Sequence, residues 1–239
     1  MSIEENLEEK SFTSEAIDFF KDLVIIVVVV KLITFFLVSV FIINGQSMYG
    51  SYYDKEYILV DRFSALELKD YKQQKVTRGD VIVFKPWVDE RKEFFIKRVV
   101  WMPWDSIKIE KWYVFLKKVW ETKFKKLDEK YLNKENNGNT KVDQSKKVNI
   151  YTVPKWKYFV MWDNRNHSSD SRSCFTYSCS STSRDSYISK ENVIGKVLVD
   201  FGYFNIRNFS FTHPNIRWED WNLISTKPKW LNSMWNYSY

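Results

Sequence analysis

The hydrophobic positions of this chain form one long block near the amino terminus and a series of short blocks after it. Residues 23–43 read LVIIVVVVKLITFFLVSVFII, and about 20 apolar residues are enough for a helix to cross a bilayer. Lys31 interrupts this run, and a lysine at the bilayer centre costs about 2.5–3.5 kcal/mol. We therefore expect the helix to begin nearer Ile17, with Lys31 reaching a membrane surface, and the chain to leave the bilayer as a strand after about Leu37. The alternative, a buried core helix, fits so continuous a run of Val and Ile poorly.

The flanks of this run predict how the first part of the chain is organised. Residues 1–18 are polar and acidic, and no small-residue cleavage site follows the apolar run. This combination is typical of an uncleaved anchor and not of a removed signal peptide. The sequence therefore predicts a short acidic cytoplasmic segment over 1–18 and a transmembrane anchor over 19–40.

Beyond the anchor, short runs of β-forming residues alternate with polar turns, which is typical of a mostly β domain. The runs are YILVDRF, DVIVF, EFFIKRVV, SIKIE, YVFL, KYFVMW and VIGKVLVDF. We predict one such domain over 41–205. Residues 117–150 within it are rich in Lys, Glu and Asn and are expected to form a surface excursion, and the composition of 133–147 is compatible with disorder. Residues 206–239 form a C-terminal tail to which the sequence assigns no role.

Charge and cysteine content narrow the possible partners. A net charge of +7 and a pI near 9.1 favour acidic partners. No arginine-rich tract or nucleic-acid-binding motif is visible, so the sequence favours a lipid bilayer over nucleic acid. Cys174 and Cys179 are too few for a disulfide framework, and a single disulfide or two free thiols both remain open. A zinc site that adds His167 to them lacks the usual ligand spacing, so no metal is expected.

A serine shortly after the anchor is the first candidate for chemistry. Ser47 lies in the sequence NGQSM at 44–48. A nucleophilic serine needs a base to accept its proton and hydrogen-bond donors to hold the oxyanion. The only histidines, His167 and His213, lie in no recognisable triad context, which disfavours a Ser-His-Asp site.

A lysine is the better candidate for the base. On a strand, Lys97 of FFIKRVV shares its face with Phe95 and Val99 because side chains alternate with period two. Removal from water disfavours the ammonium form, and a fall of about 2–3 units from the usual pKa near 10.4 would leave the amine neutral. From the pattern alone the alternative stays open, namely a lysine at a strand edge with its amine in water.

Four blocks of the sequence together resemble one family, the type I signal peptidases, which are Ser-Lys proteases of bacterial secretion. The blocks are GQSM at 45–48 with YILVDRFS at 57–64, RGDVIVFKP at 78–86, FIKRVVWMPWDSIKI at 95–109 and YFVMWDNRNHSSDSR at 158–172, followed by VIGKV at 193–197. They occur in the family's order behind an amino-terminal anchor, and the resemblance covers roughly residues 20–200. It implies a coiled β-sheet catalytic domain behind one transmembrane helix, in the cell membrane and on its extracytoplasmic face.

The resemblance also implies a role for individual residues. Ser47 would be the nucleophile, Lys97 the general base and Ser168 the hydroxyl that orients the lysine amine. Met48 would line the substrate-binding region. Supporting ion pairs would be formed by Arg98, Asp163, Asp170 and Arg172. The substrates would be pre-proteins bearing signal peptides, cut after small side chains through an acyl-enzyme, without cofactor, metal or nucleic acid.

Several positions depart from the family's pattern. Gly45 stands where a hydroxyl residue often completes the oxyanion hole, and Gly50 stands where proline is usual. Trp101, Trp104 and Trp162 stand where the family has glycine, as WMPWD and WDNRN in place of GLPGD and GDNRN.

These departures coincide with an unusual composition. The chain has 11 Trp and 6 Gly, whereas glycine makes up about 7% of ordinary proteins. Further tryptophans fall where turn residues are expected, at Trp87, Trp112, Trp120 and Trp156, while Trp230 looks authentic. We hypothesise that many of these tryptophans are UGA codons of an organism that translates UGA as glycine.

Two rival functions follow from the same residues. A repressor-type autoprotease shares the Ser-Lys pair, but such proteins normally carry a DNA-binding domain, and this chain has an apolar anchor in that place. A catalytically inactive, membrane-tethered β-domain that acts as a binding module is the second rival, and a genuine Trp162 beside the lysine would favour it.

Overall fold

The computed structural model describes residues 2–62, 76–85, 93–142, 150–166, 169–176, 179, 185–214, 224–225 and 229–230. The chain divides into two compact units, residues 1–39 and residues 40–239. One long helix dominates the first unit and β-strands dominate the second. The prediction of a mostly β fold behind one amino-terminal helix is confirmed.

The helix α1 spans Ser2–Phe36. It is followed by the strand β1, Val38–Ile42, which agrees with the expectation that the chain becomes a strand after about Leu37. Apolar side chains along α1 are exposed, for example Ile17 (67%), Val24 (60%) and Ile26 (58%). Within the described part of the chain, no helix meets the length and apolarity needed to cross a membrane.

The larger sheet carries the residues expected to do chemistry. Its main path runs in the order β1, β2, β11, β3, β4, β9, β10, and the strand pairs for which a register is defined are antiparallel. The strands after β1 are β2 (Tyr57–Asp61), β3 (Val81–Phe84), β4 (Phe95–Trp101), β9 (Lys157–Met161), β10 (Ile188–Ser189) and β11 (Val193–Asn205). Every one of the seven runs predicted from the sequence contributes a strand to one of the two sheets.

A second sheet and three short strands complete the described fold. The second sheet has the order β7, β6, β5, β8, with β5 Ser106–Glu110, β6 Tyr113–Lys117, β7 Lys125–Lys126 and β8 Ile150–Thr152. In the tail, β12 (Ser210–Pro214) and β14 (Lys229–Trp230) pair with β11, and β13 (Ile224–Ser225) pairs with β12. Part of the C-terminal tail therefore extends the larger sheet.

Burial along the strands follows the sequence pattern. Alternate residues are buried in β2 and β5, as expected for sheets with one covered face, whereas all four residues of β3 are buried. At Gly195 in β11 an added Cβ would lie 2.1 Å from the carbonyl oxygen of Asp61. Only glycine permits this approach of two strands, which coincides with a bulge in the pairing of β11.

Part of the predicted surface excursion is folded against the domain. Glu129, Tyr131, Asn136 and Thr140 are each at most 9% exposed, although the composition of residues 133–147 was compatible with disorder. The difference arises because these polar side chains find buried partners distant in sequence. Residues 143–149 lie outside the described residues. Of the two states left open for the cysteines, the structure contains the Cys174–Cys179 disulfide.

Candidate active site

Ser47 lies in the loop that connects β1 to β2. The base of this loop is closed by two backbone hydrogen bonds between Ile43 and the residues Lys55 and Glu56, of 2.7 and 2.9 Å. Gly45 has a φ of 96°, a conformation open mainly to glycine, and its N–H donates to Asp54 Oδ1 at 2.6 Å. Ser47 itself is half-buried. These hydrogen bonds hold the loop that contains Ser47 in a defined conformation.

A helical turn follows the serine and turns Met48 inward. The N–H of Tyr52 donates to the carbonyl of Met48 at 2.9 Å, and Met48 is 0% exposed within a core cluster that includes Ile43 and Val60. Met48 does not contribute to the cleft wall formed by the described residues. Its expected role in binding substrate therefore stays a prediction.

Lys97 lies in the middle of the larger sheet, on β4, opposite Ile82 of β3. It is 2% exposed, and its Nζ donates to the carbonyl oxygen of Ile96 at 2.8 Å. Burial lowers the pKa of the Lys97 amine well below its ordinary value, and the Asp170 carboxylate opposes that shift. A desolvated amine of this kind can accept a proton near neutral pH.

Aromatic rings surround the lysine amine. The Nζ lies 5.9 Å from the ring centroid of Phe84, 4.7 Å from that of Phe95 and 4.0 Å from that of Trp162. The shortest of these distances is to a residue that stands where the resembling family has glycine. Trp162 is therefore in direct contact with the candidate base.

Ser47 and Lys97 line the same cleft. Its volume is about 930 Å³, and its wall also includes apolar residues of β1 and β4 and the side of Trp162. A cleft that combines apolar walls with polar groups is a usual form of a binding site. Two exposed carboxylates, Glu93 and Glu135, complete the charged residues of the wall.

Asn164 connects the loop after β9 to the serine loop. Its backbone N–H donates to the carbonyl oxygen of Ser47, and its side-chain Nδ2 donates to the carbonyl oxygen of Gln46, both at 3.0 Å. Two hydrogen bonds from one residue fix the distance between the two loops. The backbone on both sides of the cleft is positioned by Asn164.

Two buried ion pairs support these loops. Arg98 forms a bidentate pair with Asp163, with Nε–Oδ1 at 2.8 Å and Nη2–Oδ2 at 2.5 Å. Burial works against the Arg98 charge, but Asp163, Tyr131 and Tyr52 together outweigh it, and the pKa of Arg98 lies above its ordinary value. Asp170 accepts from Arg172 at 2.9 Å and also from the backbone N–H of Trp162 at 3.3 Å. Such pairs, once formed, are costly to break.

A third buried pair joins the same loop to the 129–140 segment. Arg165 Nη2 lies 2.5 Å from Glu129 Oε1 and 2.9 Å from the Tyr131 hydroxyl, and the Arg165 N–H donates to Asn136 Oδ1 at 2.6 Å. The Tyr131 ring also lies 4.3 Å from the guanidinium carbon of Arg98. The 129–140 segment is therefore part of the structure that holds the loops around the cleft.

The structure thus brings most of the expected site residues together around one cleft and its supporting loops. Ser168, expected to orient the lysine amine, lies outside the described residues, as does His167. No group of three or more metal-ligating His, Cys, Asp or Glu side chains occurs in the described ranges.

Sequence reasoning did not single out Asn164, Arg165 or Glu129. Asn164 and Arg165 lie inside the quoted block YFVMWDNRNHSSDSR. The sequence identified this block but assigned no role to either residue. Glu129 gave no signal, because it lies in a charge-rich stretch and meets its partner 36 residues later.

Known proteins similar to this chain are signal peptidases. The sequence model of the family described as "Signal peptidase, peptidase S26" matches residues 16–201. The chain is 32% identical over 167 residues to signal peptidase I P of Bacillus subtilis subsp. natto, covering 69% of this chain and 83% of that protein. It is 26% identical over 215 residues to signal peptidase IB of Staphylococcus aureus, covering 85% and 98%.

Among solved structures, a signal peptidase I from Enterococcus faecalis matches 52% of this chain and 97% of that chain, at 21% identity and a TM-score of 0.36. The matched span of the family model contains Ser47, Lys97 and the whole cleft wall. The family is one of serine endopeptidases that process signal peptides. By its sequence match over most of the catalytic unit, this chain belongs to the S26 family of signal peptidases.

Proposed function

We propose that this chain cleaves signal peptides from exported pre-proteins with Ser47 as nucleophile and Lys97 as general base. The observation that carries the proposal is the burial of the Lys97 amine, 2% exposed, in the wall of a cleft that Ser47 also lines. An exposed lysine would be protonated at neutral pH and could not accept the serine proton. The lowered pKa of Lys97 removes this obstacle.

The reaction would proceed through an acyl-enzyme. Ser47 Oγ attacks the scissile carbonyl carbon while its proton moves to Lys97 Nζ, and the carbonyl becomes an oxyanion. Collapse of this intermediate breaks the C–N bond, and the proton passes from Lys97 to the leaving amine. Water then attacks the ester carbonyl carbon while Lys97 accepts its proton. The C–O bond to Ser47 breaks, the proton passes from Lys97 to Ser47 Oγ, and the signal peptide leaves with a new terminal carboxyl group. With Gly45 in place of a hydroxyl residue, we expect the Ser47 N–H to stabilise the oxyanion.

The remaining expected residues have supporting roles in this proposal. Ser168 would hold the Lys97 amine towards the serine, and Met48 would shape the substrate region from beneath. The pairs Arg98–Asp163 and Asp170–Arg172 hold the loop after β9 at two points. They would keep Lys97 and Ser47 in fixed positions relative to each other.

Cleavage of a reporter pre-protein tests the mechanism. We expect the chain to release the signal peptide, and Ser47→Ala and Lys97→Ala each to lose activity by about a thousandfold or more. Ser106→Ala and Lys108→Ala, which change the same residue types on β5 outside the cleft wall, are the matched controls and should keep full activity. Cleavage that persists in the Lys97→Ala variant would contradict the role of the lysine.

We further propose that the chain is anchored in the cell membrane over residues 19–40, which comprise the end of α1 and the first residues after it, with the catalytic unit on the extracytoplasmic face. The support is the apolar run over 23–43 and the exposure of apolar side chains along α1, because contiguous exposed apolar surface is normally covered by protein or lipid. Membrane fractionation tests this: the chain should stay with membranes after a salt wash and be released by detergent. Protease added outside intact cells stripped of their wall should degrade the catalytic unit, and a protected unit would contradict the proposed orientation.

An inactive binding module is a second candidate function, favoured by the Trp162 ring 4.0 Å from Lys97 Nζ. A ring face stabilises an ammonium and not the neutral amine that a base requires. Such a module would bind a signal peptide in the cleft without cleaving it. Binding measured by fluorescence, combined with no acylation of Ser47 by a serine-reactive probe, would favour this candidate over the protease.

A further inference from the structure

Three exposed tryptophans adopt the backbone conformation of glycine. Trp104, Trp112 and Trp156 have φ values of 73°, 69° and 64°. In this left-handed region the Cβ of an L-residue crowds the backbone, and a bulky residue there is an outlier. Five glycines of the chain share the region, with φ between 72° and 98°.

The turns that contain these residues require glycine for a specific reason. In the turn closed by Asp105 N–H to the Met102 carbonyl at 3.2 Å, Pro103 and Trp104 occupy the two central positions. Proline followed by a residue with positive φ is the signature of a type II turn, whose second central residue is usually glycine. Trp156 occupies the same position in the turn closed by Lys157 N–H to the Pro154 carbonyl at 3.3 Å.

Trp112 lies in a hairpin turn that also favours glycine at its position. Glu110 of β5 pairs with Tyr113 of β6, so Lys111 and Trp112 form a two-residue connection, with φ values of 48° and 69°. Two positive φ values define the type I′ turn, for which Asn-Gly and Asp-Gly are preferred. Glycine at 112 would relieve the second of the two strained positions.

Packing does not compensate for this strain. The three tryptophans are 53%, 54% and 59% exposed in chain order. Trp156 contacts lysine amines at 5.0 and 5.7 Å, an interaction that is weak at exposed sites. The backbone therefore has a glycine's geometry without a tryptophan's contacts to explain it.

Trp162 is half-buried and has an unsatisfied polar atom. Its buried indole Nε1 has no hydrogen-bond partner among the described residues, and a buried donor without an acceptor is destabilising. Trp162 also covers the Lys97 amine at 4.0 Å. Glycine at 162 would uncover that side of the amine within the cleft.

We infer that glycine occupies positions 104, 112, 156 and 162 of the working enzyme, because their codons are UGA and are translated as glycine. Trp101 and Trp120 are not included: Trp101 is fully buried in a core cluster where its ring packs against Phe159, and Trp120 is exposed without a positive φ. Residue 162 then acts as a positioning residue, since its small size leaves the Lys97 amine free to face Ser47. Only this last step rests on the proposed Ser-Lys mechanism.

The codons and the mass of the native protein test the assignment directly. We expect UGA at positions 104, 112, 156 and 162, UGG at Trp230 as the control, and native peptides whose masses correspond to glycine at these four positions. UGG codons at 104, 112 and 156, or tryptophan in those native peptides, would overturn the inference.

Variants of the chain test the physical argument independently of the codons. Trp104→Gly, Trp112→Gly and Trp156→Gly should each raise the thermal unfolding midpoint above that of the corresponding alanine variant, because alanine keeps the Cβ that a positive φ disfavours. Trp120→Gly and Trp120→Ala are the matched controls, and there alanine should be at least as stable. Glycine variants less stable than alanine variants at all three turns would contradict the backbone assignment.

The effect of residue 162 on the candidate base is tested separately, by the rate at which Ser47 is acylated. Trp162→Gly should increase the rate of Ser47 acylation by a serine-reactive probe by about a hundredfold, the scale of a misplaced catalytic group, and should shift the pH at which acylation reaches half its maximum. UGA codons together with an unreactive Trp162→Gly variant would uphold glycine at these positions and contradict the Ser-Lys mechanism. The assignment of glycine and the Ser-Lys mechanism would therefore be contradicted by different results.

Discussion

At the scale of single residues, the candidate site contains a buried amine, Lys97 Nζ, whose pKa burial lowers. Lys97 has aromatic rings around its Nζ and a backbone carbonyl as acceptor at 2.8 Å. The Asp170 carboxylate raises the pKa of this amine, since it favours the ammonium form. If Lys97 is the base, as proposed, the balance between burial and Asp170 sets the pH at which it becomes active.

The pH dependence of cleavage follows from this balance. We expect kcat/KM to rise with pH as the Lys97 amine loses its proton, with a midpoint below the usual lysine pKa because burial lowers it. Asp170→Asn should move that midpoint to lower pH, because it removes the carboxylate that stabilises the ammonium. Cleavage rates measured across a pH series check both statements, and a midpoint that moves upward in the variant would contradict the assignment.

Asn164 gives a second prediction at this scale. Asn164→Ala removes the hydrogen bond from Nδ2 to the Gln46 carbonyl, and we expect kcat to fall about 10–100-fold because the serine loop loses its fixed position. KM should change little, since the cleft wall is otherwise intact. Asn139→Ala, which removes an exposed hydrogen bond to the Glu135 carbonyl, is the control. Equal kinetics for the two variants would contradict a positioning role.

Much of the residue-level site could be predicted from sequence, and the remainder could not for a physical reason. Alternation placed Lys97 on an apolar face but left a strand-edge lysine open, and Ser47 was only one serine after the apolar run. The family resemblance is what paired the two residues. Without the family resemblance, the stretch after β9 would read as a solvated polar loop, yet Asp163 and Arg165 are each 1% exposed. Their partners lie 65 and 36 residues away, and local patterns contain no information on such separations.

At the scale of elements, the strands were predictable and the 129–140 segment was not. Strand formation is signalled locally, by alternating or continuous apolar runs such as those of β2 and β3. The 129–140 segment has a polar composition, and its order comes from the buried Glu129–Arg165 pair and from Tyr131 beside Arg98. Order of this kind depends on tertiary contacts.

The Glu129–Arg165 pair yields a prediction about stability. Glu129→Gln leaves the buried Arg165 charge without its partner and should lower the free energy of unfolding by about 3–5 kcal/mol. Asp128→Asn breaks the neighbouring pair with Lys130, whose side chains are 65% and 64% exposed, and should cost at most about 1 kcal/mol. Denaturant unfolding of both variants provides the comparison. Similar losses for the two would mean that the 129–140 segment is not held by the buried charge.

At the scale of the whole molecule, catalysis and stability make opposite demands on Lys97. The unfolded chain holds this amine in water with a pKa near 10.4, whereas burial lowers the pKa in the folded state. Between the two pKa values the unfolded chain binds one more proton than the folded one. The contribution of Lys97 to stability therefore rises with pH through this window and is least favourable below the folded pKa.

Replacement of the lysine by an apolar residue of similar length tests this opposition. Lys97→Met should abolish cleavage and raise the free energy of unfolding, because the buried amine is removed while the packing against Phe95 is kept. The gain should be largest at the lowest pH and shrink as pH rises towards 10.4. Burial raises the pKa values of Tyr52 and Tyr131, but these groups affect both proteins equally, so they cancel in the difference. Unfolding measured over a pH series would contradict the assignment of Lys97 as a desolvated base if the variant were less stable, or if the difference between the two proteins did not change with pH.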